Sequence, residues 1–152
     1  MRDAHSVEKL NELHPKVRED FRSFIEECEQ QFGITIRIVS AMRTMEEQEK
    51  IYAQGRTSPG PIVTKAIPGS SYHNYGLACD LLPLTTDGKL DYSYQQYKWA
   101  NIAEQWGITW GGSWTGFKDP DHWEAKMGHN WRDLLDLYNK KDFIEGTEYV
   151  NI

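Results

Sequence analysis

Apolar and polar residues alternate along this chain with two distinct periods. Val17, Phe21, Phe24, Ile25, Cys28 and Phe32 recur at helical spacing, which predicts an amphipathic helix over 15–32. Pro15 suits its first turn and Gly33 its C-terminal cap. Ile34, Ile36 and Ile38 then alternate with Thr35, Arg37 and Val39, the period of a strand. Thr44 and Glu47 form a T-x-x-E capping box that opens a short helix running to about Gln54. Residues 55–70 carry three glycines and three prolines and read as a long loop. A strand is expected over 77–82, and Asp87-Gly88 marks a turn. A helix over 94–106 ends at Gly107, a short strand covers 108–110, and Gly111-Gly112 opens another loop. Trp123 falls in a last short strand, and 131–138 is helical. The tail from Asp142 has no clear period. This order predicts an α+β fold, with helices packed on a mainly antiparallel sheet.

The 152 residues fit a single domain, 1–152, able to bury a core without staples. The formal net charge is -6 and Lys/Arg residues do not cluster, which argues against a nucleic-acid partner. No apolar run reaches the roughly 20 residues of a membrane span. The N-terminus has no signal-peptide core, so synthesis in the cytoplasm is expected. A monomer is expected. Cys28 reads as core and Cys79 as facing away from its neighbour Asp80, so neither suggests a disulfide.

The chemistry gathers in two segments. In Ser71-Tyr72-His73-Asn74-Tyr75-Gly76-Leu77-Ala78-Cys79-Asp80 an imidazole and a carboxylate stand seven positions apart with a glycine between them. The second segment is Asp119-Pro120-Asp121-His122-Trp123-Glu124. If neighbouring strands bring them together, His73, Asp80 and His122 offer two imidazoles and a carboxylate to one metal. Three protein ligands with an open fourth position are the composition of a catalytic zinc site. Iron, cobalt and manganese also accept these donors. His5, His14 and His129 lack such a context and read as packed or surface residues.

A base close to the metal's water would come from the second segment, in the order Asp119, Glu124, Asp121. Arg43 or Arg56 could pair with a substrate carboxylate through a guanidinium fork. Most of the six tryptophans belong to the core by their size. Trp114 and Trp123 are the candidates for a substrate groove.

These segments resemble a known signature. Ser71-x-His73-x-x-Gly76-x-Ala78-x-Asp80 followed by Asp119-x-x-His122 is similar to that of the D-alanyl-D-alanine carboxypeptidase-like metallopeptidases. Within them the chain most resembles the L-alanyl-D-glutamate peptidases, found as phage endolysins and bacterial cell-wall hydrolases. Arg43-Thr44, Glu47-Gln48, Tyr52, Gly55-Arg56-Thr57, Pro59-Gly60, Val63-Thr64 and Gly69-x-Ser71 agree as well. So do Trp110-Gly111-Gly112-x-Trp114 and Phe117-x-Asp119, and the likeness runs from about residue 8 to 140. Ser113 stands where the subfamily often has aspartate, and Trp123 where it usually has phenylalanine.

The resemblance implies one Zn²⁺ per chain on His73, Asp80 and His122, with Asp119 as acid/base. It implies that Arg43 contacts substrate and stabilises the oxyanion, and that Ser71 lines the site. The implied reaction is hydrolysis of the L-Ala–D-Glu bond in the peptidoglycan stem peptide. No separate wall-binding domain is expected, and a protein made in the cytoplasm would reach the wall by release or another export route. Two alternatives stay open. One is a D,D-carboxypeptidase or dipeptidase acting on D-Ala-D-Ala ends. The other is a non-catalytic, metal-containing wall-binding or signalling domain.

Overall fold

The computed structural model describes residues 1–152. In chain order the elements are α1 (Ala4–Leu10), α2 (Arg18–Phe32), β1 (Thr35–Ser40), α3 (Met45–Ala53), β2 (Ala78–Leu84), α4 (Ala100–Gln105), β3 (Thr109–Trp110), β4 (His122–Glu124) and α5 (Trp131–Asn139). The four strands form one sheet in the order β1-β2-β4-β3, and each pairing is antiparallel. The expected α+β class is therefore found.

Helix α2 forms for the reason its pattern gives. Phe21, Phe24, Ile25 and Cys28 are fully buried along one stripe. Each such side chain contributes roughly 1.5–3 kcal/mol by leaving water. Gly33 ends the helix in the left-handed region at φ 64°. Phe24 meets Trp123 of β4 with ring centroids 5.0 Å apart, so α2 backs the strand that carries His122.

The period of two decides which side chains reach the site. Asp80 and His122 are cross-strand partners in the β2–β4 pairing. Their flanking residues Cys79 and Trp123 face the opposite side and are fully buried. Directly opposed residues hold their Cβ atoms about 4.5–5.5 Å apart, close enough for the two side chains to share one ligand. At the site end of β1 the register slips between Ile38 and Ser40. Such a bulge re-aims the backbone beyond it, and here that backbone is Ala41 to Arg43.

Some boundaries differ from the expectation. Pro15 to Val17 lie in a turn ahead of α2, which starts at Arg18. Residues 96–99 form a 3-10 turn that runs into the shorter α4. The first helix, α1, was not expected. The tail also has structure: Phe143 bridges Val150, and the buried His14 ring donates to the Val150 carbonyl at 2.8 Å.

Candidate metal centre

His73 lies in a 3-10 turn, Tyr72–Tyr75, which Ser71 caps by accepting from the His73 amide at 3.3 Å. Gly76 closes the turn at φ 70°, and a Cβ there would stand 2.7 Å from the His14 amide nitrogen. Both the left-handed backbone and the close approach therefore require glycine. The turn is stitched to the chain beyond β1. The Arg43 amide donates to the His73 carbonyl at 3.0 Å, and Asn74 Nδ2 donates to the Arg43 carbonyl at 3.1 Å.

The three predicted donors converge. His73 Nε2 lies 3.2 Å from Asp80 Oδ1 and 3.1 Å from His122 Nδ1, and His122 Nδ1 lies 3.6 Å from Asp80 Oδ1. Four ligands arranged tetrahedrally at 2.0–2.1 Å from a common centre sit about 3.3 Å apart, so these separations match the edges of such a site.

The proton positions strengthen the fit. His73 Nδ1 faces the Ala41 carbonyl at 2.8 Å. A carbonyl only accepts, so Nδ1 carries the hydrogen and Nε2 presents a lone pair. His122 Nε2 faces Glu124 Oε1 at 3.2 Å, which leaves Nδ1 with its lone pair when the ring is neutral. Two nitrogen lone pairs and a carboxylate then point at one another across 3.1–3.6 Å. Only a cation between them makes that arrangement favourable. When the cation is a proton, His122 takes it. Burial pushes the His122 pKa down, but its bonds to Asp80 and Glu124 override burial and lift the value to about 9. Burial likewise raises Asp80, yet His73 and His122 hold it well below the usual carboxylate range. The donor set suits a divalent metal.

A cleft of about 800 Å³ opens over the triad. Asp119, Arg43, Ser71, Trp114 and Glu124 line it together with the three donors. Burial and the Asp80 charge push the Asp119 pKa up, against the pull of His122, His73 and Arg43. The Asp119 backbone is fixed by Gly111. The Asp119 amide donates to the Gly111 carbonyl at 3.1 Å, and a Cβ on Gly111 would stand 2.5 Å from the Asp119 carbonyl oxygen. Arg43 Nη2 reaches Asp80 Oδ2 at 3.7 Å, and Nη1 donates to Gln48 Oε1 at 3.1 Å. The Trp114 ring covers His122 with centroids 4.9 Å apart.

A chain from Bacillus subtilis (strain 168), the peptidoglycan L-alanyl-D-glutamate endopeptidase CwlK, is 38% identical over 124 residues, covering 75% of this chain and 74% of that relative. The chain belongs to the D-alanyl-D-alanine carboxypeptidase-like metallopeptidase family. A family model described as D-alanyl-D-alanine carboxypeptidase matches residues 65–125, the span that holds all three donors and Asp119. Solved structures of lower identity share the family fold. The Serratia marcescens L-Ala D-Glu endopeptidase ChiX superposes with a TM-score of 0.59 at 21% identity, covering 86% of this chain and 90% of that one. The vancomycin-resistance D,D-pentapeptidase VanY, solved with Zn(II), gives 0.56 at 17% identity over 74% and 72%. The resemblance read from the motifs, and the expectation of a hydrolytic metallopeptidase, are borne out by the family.

Two expected substrate-contact residues lie elsewhere. Trp123 is fully buried and donates through Nε1 to Gln96 Oε1 at 2.8 Å. Strand alternation turns it away from the His122 face and into the core. Arg56 does not line the cleft. Its guanidinium stacks on Tyr52 at 3.9 Å and donates to the carbonyls of Tyr52 and Thr64. Asp121, the third base candidate, accepts from Gln96 Nε2 at 3.1 Å. Burial, with Asp80 and Asp119 nearby, pushes its pKa up to about 6.

Pattern reading missed three supports: the Ala41 carbonyl, Gln48 and the bond between Glu124 and His122. A carbonyl carries no sequence signal. The i, i+2 spacing of His122 and Glu124 on a strand did signal a shared face.

Proposed function

We propose that this chain is a zinc-dependent peptidoglycan endopeptidase that hydrolyses the L-Ala–D-Glu bond of the stem peptide. The observation that carries it is the convergence of three lone-pair donors with Asp119 and Arg43 around one cleft. Its bond preference rests on the likeness to CwlK, whose name states that specificity. His73 Nε2, Asp80 and His122 Nδ1 would hold the metal. When bound, zinc acidifies water and polarises a carbonyl.

The protein side of the reaction follows from the remaining groups. Asp119, with its raised pKa, takes the proton from the attacking water and later returns it to the leaving amine. Arg43 is held between Asp80 and Gln48, with its charge at the cleft wall. It stabilises negative charge on the carbonyl oxygen as the water adds, and it can pair with a substrate carboxylate. Ser71 fixes the His73 turn and lines the wall. Trp114 offers an apolar face above His122 for the peptide.

Digestion of purified peptidoglycan followed by mass spectrometry and end-group analysis tests the reading. New D-Glu amino termini are expected. Release of terminal D-Ala alone would establish a D,D-carboxypeptidase instead. Tight zinc binding with no hydrolysis of any muropeptide would leave a binding or signalling domain. The protein is expected to act on the wall as a monomer.

A further inference from the structure

Glu124 is a base candidate by its place in the sequence, but its surroundings give it a different task. It is almost fully buried, 3% exposed. Oε1 receives the His122 Nε2 hydrogen at 3.2 Å, on the side of the ring away from Asp80 and His73. Oε2 is buried and has no hydrogen-bond partner. No lysine or arginine pairs with this carboxylate, and no backbone amide bonds to it. A buried carboxylate with one bond and one bare oxygen costs the fold stability. Its placement is therefore not explained by folding alone.

The imidazole explains it. A histidine ring can carry its hydrogen on either nitrogen, and the acceptor beyond the ring selects which. His73 has the Ala41 carbonyl for this purpose. His122 has only Glu124. We infer that Glu124 is the positioning residue of the centre. It holds the hydrogen of His122 on Nε2, points the Nδ1 lone pair at His73 and Asp80, and raises the donor strength of that nitrogen. This rests on the reading of the triad as a metal site. The two histidines are thus oriented by unlike groups: a neutral carbonyl behind His73 and an anion behind His122. An anionic acceptor also offsets part of the charge of a divalent cation in a buried setting.

The test uses the full chain and zinc itself. Zinc affinity is measured by competition with a chromogenic chelator, and the His122 tautomer is read by nitrogen-detected NMR of the imidazole in the zinc-free protein at alkaline pH, where the ring is neutral. Zinc-free wild type should show hydrogen on Nε2, and zinc-loaded wild type should carry zinc on Nδ1. Glu124→Ala should lower zinc affinity about 10–100-fold and mix the tautomers. Glu124→Gln keeps the shape and an acceptor oxygen, so the Nε2 hydrogen should persist while affinity falls several-fold. A folded Glu124→Ala protein with wild-type affinity and an unchanged tautomer overturns the inference. If that variant does not fold, a Glu124→Gln protein binding zinc as tightly as wild type overturns it. A wild-type protein that binds no zinc would overturn the metal reading itself, which separates the two failures.

Discussion

The donor triad and the lips of the cleft above it are built by opposite means. Asp80 and His122 sit on paired strands, and His73 sits in a capped turn closed by Gly76. Each histidine is held from behind by an acceptor 2.8–3.2 Å away. The lips, residues 55–70 and 114–118, hold no strand and are pinned by long side chains. Arg56 reaches two carbonyls, Gln54 reaches Pro61, and Gln48 reaches Ala66. Ile62, Val63 and Phe117 remain exposed by 48%, 47% and 40%. The contrast separates donors held by paired strands and a capped turn from a rim held mainly by side-chain contacts, and loops carried on a rigid scaffold are where binding residues are most often found.

The sharpest way to break the fixed half is to remove a donor. His73→Ala, or chelation of the wild type, should abolish zinc binding and hydrolysis together, measured by metal analysis and muropeptide release. Acid should release the metal as well. His122 must lose its proton to bind, and its neighbours hold that proton up to about pH 9, so affinity should fall as pH drops below that value. An affinity independent of pH would contradict His122 as a ligand.

Asp119→Ala separates chemistry from metal binding. Hydrolysis should fall about 10²–10⁴-fold while zinc stoichiometry stays at one. If the variant digests peptidoglycan at the wild-type rate, Asp119 is not the base and Glu124 returns as a candidate.

The fixed half was also the legible half. The H-x6-D spacing, the D-x-x-H spacing and strand pairing made His73, Asp80 and His122 candidates for one point, and the family resemblance assigned them together as ligands. Asp80 and His122 obey the strand period, and His73 obeys the local rules of a capped turn closed by glycine. The same strand period should have removed Trp123 from the groove, since it directs neighbours of His122 to the far face. Arg56 misled for another reason. A guanidinium in a loop satisfies backbone carbonyls as readily as a substrate carboxylate, and sequence does not say which is nearer. Helix α1 was missed because its burial depends on distant groups: Ser6 accepts from the Ile38 amide, and Asp3 takes the Arg37 fork. The tail was unreadable likewise, because its anchor is His14, far away in sequence.

Gly111→Ala tests whether the base is held as rigidly as the donors. The added Cβ would stand 2.5 Å from the Asp119 carbonyl oxygen and 3.0 Å from His122 Cβ. The first of these is backbone and cannot swing aside. Overpacking of this kind costs about 1–3 kcal/mol, visible as a lowered Tm. A shift of about 1 Å at Asp119 would lower kcat/KM on the order of 10²-fold. An unchanged Tm and rate would show that the Asp119 segment yields easily and belongs with the lips.

Arg56→Ala addresses the adaptable half and should have the smallest effect. The side chain is not among those lining the cleft, so its loss should remove no direct contact with substrate. It frees the carbonyls of Tyr52 and Thr64, and Thr64 lines the cleft. These carbonyls are solvent-accessible and can bond to water, so stability should change by less than about 1 kcal/mol. The loop would sample more conformations before binding, and ordering it again draws on substrate affinity. KM on a soluble muropeptide should therefore rise a few-fold with kcat nearly unchanged, and zinc affinity should stay at the wild-type value. A fall in kcat with constant KM would place Arg56 in transition-state stabilisation and move it from the lip to the chemistry.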